Sequence, residues 1–237
     1  MTTLKKKKQA RRSSLASVAL VVFGLLITGG VYAVFNSASA DADTTAYSAA
    51  QIEEGKNLFV ANCATCHGLD LAGTYAGPSL IGVGAASVHF QVGTGRMPMA
   101  NSAPQAPVKP VVFTEEQILS LAAYVASISP GPAIPSDKYL DANGNAANGG
   151  ELFRINCAMC HNVAGAGGAL TGGKFAPALD GVAPVHIYEA MITGPQNMPV
   201  FNDMNVTPED KRDIITYLKY MESNAGPGGF TLGSLGP

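Results

Sequence analysis

The chain is 237 residues long, room for about two small domains. Its net charge of −2 hides an asymmetry, because Lys5, Lys6, Lys7, Lys8, Arg11 and Arg12 supply six of the fifteen basic residues. The remainder has seventeen acids against nine bases, a charge of −8, and offers no nucleic acid a basic face.

The basic run directly precedes Leu15 to Phe35, twenty-one residues without a charge. As a helix that segment is long enough to span a hydrocarbon core. Basic residues ahead of it put the N-terminus in the cytoplasm and everything after it outside the cell membrane. Ala38-Ser39-Ala40 resembles a signal-peptide cleavage site, but the apolar run exceeds a usual signal h-region, which favours a retained anchor. Residues 1–46 thus read as a basic segment, a transmembrane anchor (about 15–35) and a short polar linker.

Ala49 to Ala61 reads as a helix that runs into Cys63-Ala64-Thr65-Cys66-His67. Cys-x-x-Cys-His is the pattern of a c-type haem attachment site. Two thiols three residues apart lie on one side of a helical turn and can bond two vinyl groups of one porphyrin, and His67 then points its imidazole at the iron. Further on, Met97 precedes Pro98, thirty residues after His67. A thioether sixth ligand beside His raises the reduction potential and suits electron transfer. Met99 is the nearest rival, and His89 raises bis-His ligation, a propionate hydrogen bond or a place in the pocket wall as alternatives. Thr114 has N-cap chemistry, with Glu115 and Glu116 in the first turn behind it. Ile118, Leu121, Ala122 and Val125 follow at helical spacing. The stretches between, rich in Gly and Pro, read as loops.

After a Pro-stiffened joint that includes Pro130-Gly131-Pro132 and Pro135, the pattern returns. Ala147 to Ile155 reads as a helix leading into Cys157-Ala158-Met159-Cys160-His161, which holds the other two of the four cysteines. Gly55, Leu58, Phe59 and Asn62 match Gly149, Leu152, Phe153 and Asn156 at one offset. Pro78 matches Pro177, His89 matches His186, Met97-Pro98 matches Met198-Pro199, and Thr114 to Ile128 matches Thr207 to Met221. Met198 lies thirty-seven residues after His161, with Met191 and Met204 as weaker candidates. Phe59 and Tyr124, like Phe153 and Tyr217, are expected to pack where the first and last helices of each copy cross, and Gly55 and Gly149 permit close approach there. A zinc ribbon is the competing use of paired cysteines, but these pairs lie over ninety residues apart and each is followed at once by His. Disulfides would leave both His residues unexplained.

Over about residues 47 to 223 the chain resembles tandem class I c-type cytochromes. The expected fold is all-α: two such domains after an N-terminal transmembrane helix. The boundaries read as 47–130 for the first domain, 131–146 for a linker, 147–223 for the second domain and 224–237 for a Gly-rich tail. The resemblance implies two covalently attached haem c groups, on Cys63 and Cys66 and on Cys157 and Cys160. It also implies axial iron ligands His67 and Met97, then His161 and Met198, with the Pro78 and Pro177 carbonyls accepting from the ligating imidazoles.

Longer phrases narrow the resemblance. Gly77-Pro78-Ser79-Leu80-Ile81-Gly82-Val83-Gly84, Thr94-Gly95-Arg96-Met97-Pro98 and Gly226-Pro227-Gly228-Gly229-Phe230, with the basic run and anchor, look like the cytochrome c subunit of the actinobacterial cytochrome bc complex (menaquinol–cytochrome c reductase). That resemblance implies a subunit that takes electrons from the Rieske iron–sulfur protein beside cytochrome b. It passes them through both haems to the copper centre of an aa-type cytochrome c oxidase in a supercomplex. Such a chain belongs to an oxidoreductase while itself only transferring electrons. The family usually carries a second transmembrane helix near its C-terminus, where this chain stops at Pro237. The alternatives are a dihaem peroxidase or sulfur-compound dehydrogenase, which needs an open iron position, and a stand-alone membrane-anchored shuttle.

Overall fold

The structure is a computed structural model that describes residues 14–38, 47–101 and 103–224. The basic run at 1–12, most of the expected linker and the Gly-rich tail from 225 lie outside the described residues. The chain divides into two compact units, residues 1–44 and 45–237. In the first, α1 (Ser14–Ala38) is a 25-residue helix without a charged side chain. Its side chains are described over 16–30, all of them exposed. Among the described residues no helix is long and apolar enough to cross a membrane.

The second unit is built from two similar helix sets. In the first set, α2 (Ala49–Asn62) starts where the Ser48 hydroxyl accepts from the Gln51 N–H. It breaks at Cys63 and resumes as the single turn α3 (Ala64–His67). After α4 (Gly84–Gly93) comes α5 (Glu115–Ile128). Thr114 and Gln117 close a reciprocal capping box at its start, two N–H groups satisfied at once. In the second set, α6 (Ala146–Asn156) is capped by Asn145 and leads into α7 (Ala158–His161). Then follow α8 (Pro184–Thr193) and α9 (Pro208–Ser223), the latter boxed by Thr207 and Asp210 with Pro208 in the first turn.

The long helices cross at glycine in both sets. A Cβ on Gly55 would lie 1.9 Å from the Ser120 carbonyl oxygen, so α2 meets the backbone of α5 there. A Cβ on Gly149 would lie 1.9 Å from the Asp213 carbonyl oxygen, where α6 meets α9. One helical turn beyond each glycine an aromatic pair closes the crossing: Phe59 with Tyr124, ring centroids 5.3 Å apart, and Phe153 with Tyr217 at 5.6 Å. Each set has its own apolar core, Phe59, Leu71, Ile118, Leu121 and Val125 in one, Phe153, Ile187, Met191, Ile214 and Ile215 in the other.

The repeat breaks at one core position. Where α5 has Ile118, α9 has Lys211, fully buried. Its ammonium is held by Asp203 Oδ1 at 2.6 Å and the Val206 carbonyl at 2.6 Å, which compensates the lost hydration.

The expectation of loops between motif and last helix is corrected at two places, because residues 84–93 and 184–193 form α4 and α8. Both are short, and α4 is flanked by glycine and buried at Ala85, Ala86, Phe90 and Val92. No polar face remains to give a helical period in the sequence. α4 and α8 pack against each other and join the two sets. A second link is Gln105, whose amide both donates to and accepts from the Phe175 backbone, at 2.9 and 2.8 Å. Phe175 belongs to a two-residue strand, β2 (Phe175–Ala176), paired with β1 (Gly168–Ala169). The joint is pinned at both ends. Gly131 packs on Gly84 too closely for a Cβ, and Asp141 makes a two-pronged ion pair with Arg212 at 2.6 and 2.8 Å.

Candidate functional site

Each Cys-x-x-Cys-His turn opens on a cavity. The first, about 330 Å³, is lined by Cys63, His67, Pro78, Met97, Phe59 and Leu121, among others. The second, about 560 Å³, is lined by Cys157, Cys160, His161, Pro177, Met191 and Met198, among others. Cys66 is exposed and is not part of the first lining. Each motif therefore reaches the same cavity as the Met of its own Met-Pro dipeptide. Met99 lines neither cavity, and Met204 is 94% exposed.

The imidazoles are oriented from behind. His67 Nδ1 donates to the Pro78 carbonyl at 2.8 Å and His161 Nδ1 to the Pro177 carbonyl at 3.0 Å. A neutral imidazole with its proton on Nδ1 presents a lone pair on Nε2, the form that binds a metal. Burial lowers the pKa of His161, outweighing the opposing bond to Pro177, and so favours this neutral form. Burial, with a smaller contribution from the neighbouring cysteine, pushes Cys63 and Cys157 up to about 11. A zinc ribbon needs all four cysteine sulfurs on one ion. The two pairs face separate cavities.

Two polar groups test whether a haem fits. Gln91 Oε1 is the one buried side-chain polar atom without a partner among the described residues, and Gln91 lines the first cavity. Its amide can turn its N–H toward an acidic group. Arg96 is 9% exposed, lines the second cavity, and has no carboxylate partner among the described ion pairs. Burial lowers its pKa, and its guanidinium sits 4.8 Å from the centre of the Phe90 ring. A buried cation without a carboxylate partner calls for an anion, and a haem propionate would supply one. The residues present fit the group.

The cavities share walls. Arg96 and Lys109, from the first set, line the second cavity. Thr193, Gly194 and Gln196, from the second set, line the first. Sequence reasoning did not single out Gln91, Arg96 or Gln105. Only Arg96 had a signal, its place directly before Met97. His186 lines the second cavity, whereas His89 lines neither and turns both ring nitrogens to carboxylates, Glu189 and Glu115. That leaves His89 with no nitrogen facing a haem cavity.

Residues 52–129 match the family model described as cytochrome c, and residues 144–218 match the one described as cytochrome c oxidase, cbb3-type, subunit III. A cytochrome bc1 complex cytochrome c subunit of Corynebacterium efficiens is 41% identical over 99% of this chain and 84% of the relative. Its counterpart in Mycobacterium tuberculosis H37Rv is 44% identical over 95% of this chain and 83% of the relative. The one in Mycobacterium leprae is 42% identical over 92% of this chain and 78% of the relative.

Proposed function

The chain belongs to the family of cytochrome bc1 complex cytochrome c subunits, and on that premise we propose that it is the dihaem electron-transfer subunit of a menaquinol–cytochrome c reductase. It carries two covalently attached haem c groups, which when bound supply reversible one-electron chemistry. The chain's own residues attach, orient and enclose them. Cys63 and Cys66, then Cys157 and Cys160, provide the thioether sulfurs. His67 and His161 offer Nε2 to iron, held by Pro78 and Pro177. Met97 and Met198 would supply a thioether ligand to the iron, and Arg96 would neutralise an acidic substituent while the apolar parts of the walls exclude water.

The observation that carries this reading is the paired cavity: each holds a motif His and a Met-Pro Met, and each borrows wall from the other domain. Shared walls suit electron exchange between neighbouring centres. A peroxidase or dehydrogenase needs an open iron position, which two methionines at matching places argue against. The domains run from 47 to 130 and from 147 to 223 about a pinned joint. Residues 15–35 anchor the chain in the cell membrane with both domains outside. Cytochrome b and the Rieske protein are the neighbours on the donor side, and an aa-type oxidase is the acceptor.

Purification of the full chain in mild detergent tests the assignment. Cytochrome b and Rieske subunits should copurify with it, and the aa-type oxidase should follow in the supercomplex. A chain recovered without cytochrome b and Rieske overturns the reading. For the anchor, removal of residues 1–38 should release the haem domains from washed membranes if no other span holds them.

A further inference from the structure

One buried cluster is left over once the cavities are assigned. His89 on α4 and His186 on α8 hold matching places in the repeat, yet they meet each other at the α4–α8 contact, ring centroids 5.4 Å apart. Between them lies Glu189, fully buried. His89 Nδ1 donates to Glu189 Oε1 at 2.6 Å, and His186 Nδ1 donates to Oε2 at 3.0 Å. One potential ligand atom from each of the three residues lies within 4.8 Å of the others. Behind His89, its Nε2 donates to Glu115 Oε1 at 2.9 Å.

Two imidazoles and a carboxylate form a donor set suited to zinc and similar dications. An imidazole whose far N–H is held by a carboxylate is the arrangement that fixes a ligating ring and raises its basicity. Glu115 provides this for His89. Metal–ligand bonds of about 2.0–2.2 Å place neighbouring donors about 3.0–3.5 Å apart, so the two contacts to Glu189 open by under ~1 Å while donors now up to 4.8 Å apart close. Three protein donors leave a position for water.

We propose that His89, His186 and Glu189 form a zinc-type divalent metal site that pins the two haem domains to each other, with Glu115 as the residue that positions His89. Its ligands come from both domains, so the ion is a clasp across their contact, beside the cavity wall that His186 forms. Without metal, a proton on His89 does the same work, since both ring nitrogens of His89 face carboxylates. Binding exchanges that proton for the metal: the Nδ1–H bond breaks, the metal–Nδ1 bond forms, and one proton leaves to solvent. His186 changes tautomer: the proton that its Nδ1 donates to Glu189 in the metal-free contact moves to Nε2 as Nδ1 coordinates, with no net release.

The test uses the full chain with both haems attached, purified in detergent without a histidine tag and stripped with chelator. Equilibrium dialysis against Zn²⁺ with elemental analysis gives the stoichiometry, and X-ray absorption at the zinc edge gives the ligands. One zinc per chain with two imidazoles is expected, about tenfold tighter at pH 8 than at pH 7 because one proton is released. Glu189→Gln and His89→Gln should weaken binding at least about 100-fold, and Glu115→Gln by about 10-fold. Haem absorption shows that each variant still folds. No stoichiometric zinc, or zinc retained at full affinity by a folded Glu189→Gln, overturns the proposal. If those variants do not fold, the wild-type absorption edge decides, and zinc without imidazole ligands overturns it.

Discussion

Gly55→Ala adds a single methyl where α2 crosses α5. The new Cβ would sit 1.9 Å from the Ser120 carbonyl oxygen, 2.6 Å from its carbon and 2.8 Å from Tyr124 Cβ, whereas real Cβ contacts stay beyond 3.0 Å. The obstacle is backbone inside a helix, so no side-chain rotation relieves it. The helices must part by about 1 Å, and Phe59, 1% exposed against Tyr124, loses its fit. Overpacking of this kind costs about 1–3 kcal/mol. Alanine returns about 1 kcal/mol through its higher helix propensity. Because the clash is with backbone, the cost falls at the upper end, and the net expectation is about 1–2 kcal/mol of destabilisation. Asn57→Ala is the control: it lies on the same helix, is exposed, and should gain about 0.5 kcal/mol. Urea unfolding of the chain with both haems attached, followed by circular dichroism, gives the two midpoints. A Gly55→Ala midpoint at or above that of Asn57→Ala would refute the close crossing of α2 and α5.

Met97→Ala and Met198→Ala should each remove one of two His/Met charge-transfer contributions near the red end of the visible spectrum; an undiminished band in Met198→Ala would transfer the role to Met191, which lines the same cavity. Burial alone lowers the pKa of His89, but the bonds and charges of Glu189 and then Glu115 outweigh it and raise it from an ordinary 6.5 to about 9. A raised pKa stabilises the fold fully below about pH 6.5, and the contribution fades as pH rises through about 9, an upper bound of ~3 kcal/mol. In metal-free protein the stability difference between wild type and His89→Gln should therefore shrink from pH 6.5 to pH 9.5, and a flat difference contradicts the pairing. Thr207→Ala should cost about 1 kcal/mol in thermal or urea unfolding by opening the box with Asp210, and Thr207→Ser should restore most of it.

The sequence by itself determined what depends on short-range spacing. Two cysteines and a histidine in five residues specify attachment, whatever surrounds them. The cap at Thr114 with Glu115 and Glu116 behind it, and the apolar period that follows, specify α5 because both are local to one helix. Offsets that match across two copies also marked Gly55 and Gly149 as contact points before any coordinates. Tertiary structure alone decided what depends on neighbours distant in the chain. α4 has no fully exposed residue and so carries no amphipathic period, which hid it among the glycines. The walls of each cavity come partly from the other domain, over separations that spacing does not encode. The repeat made His89 and His186 look like equivalents with equivalent tasks. Packing α4 on α8 brought the pair together around Glu189, a carboxylate on only one of the two helices, and so gave equal positions unequal surroundings.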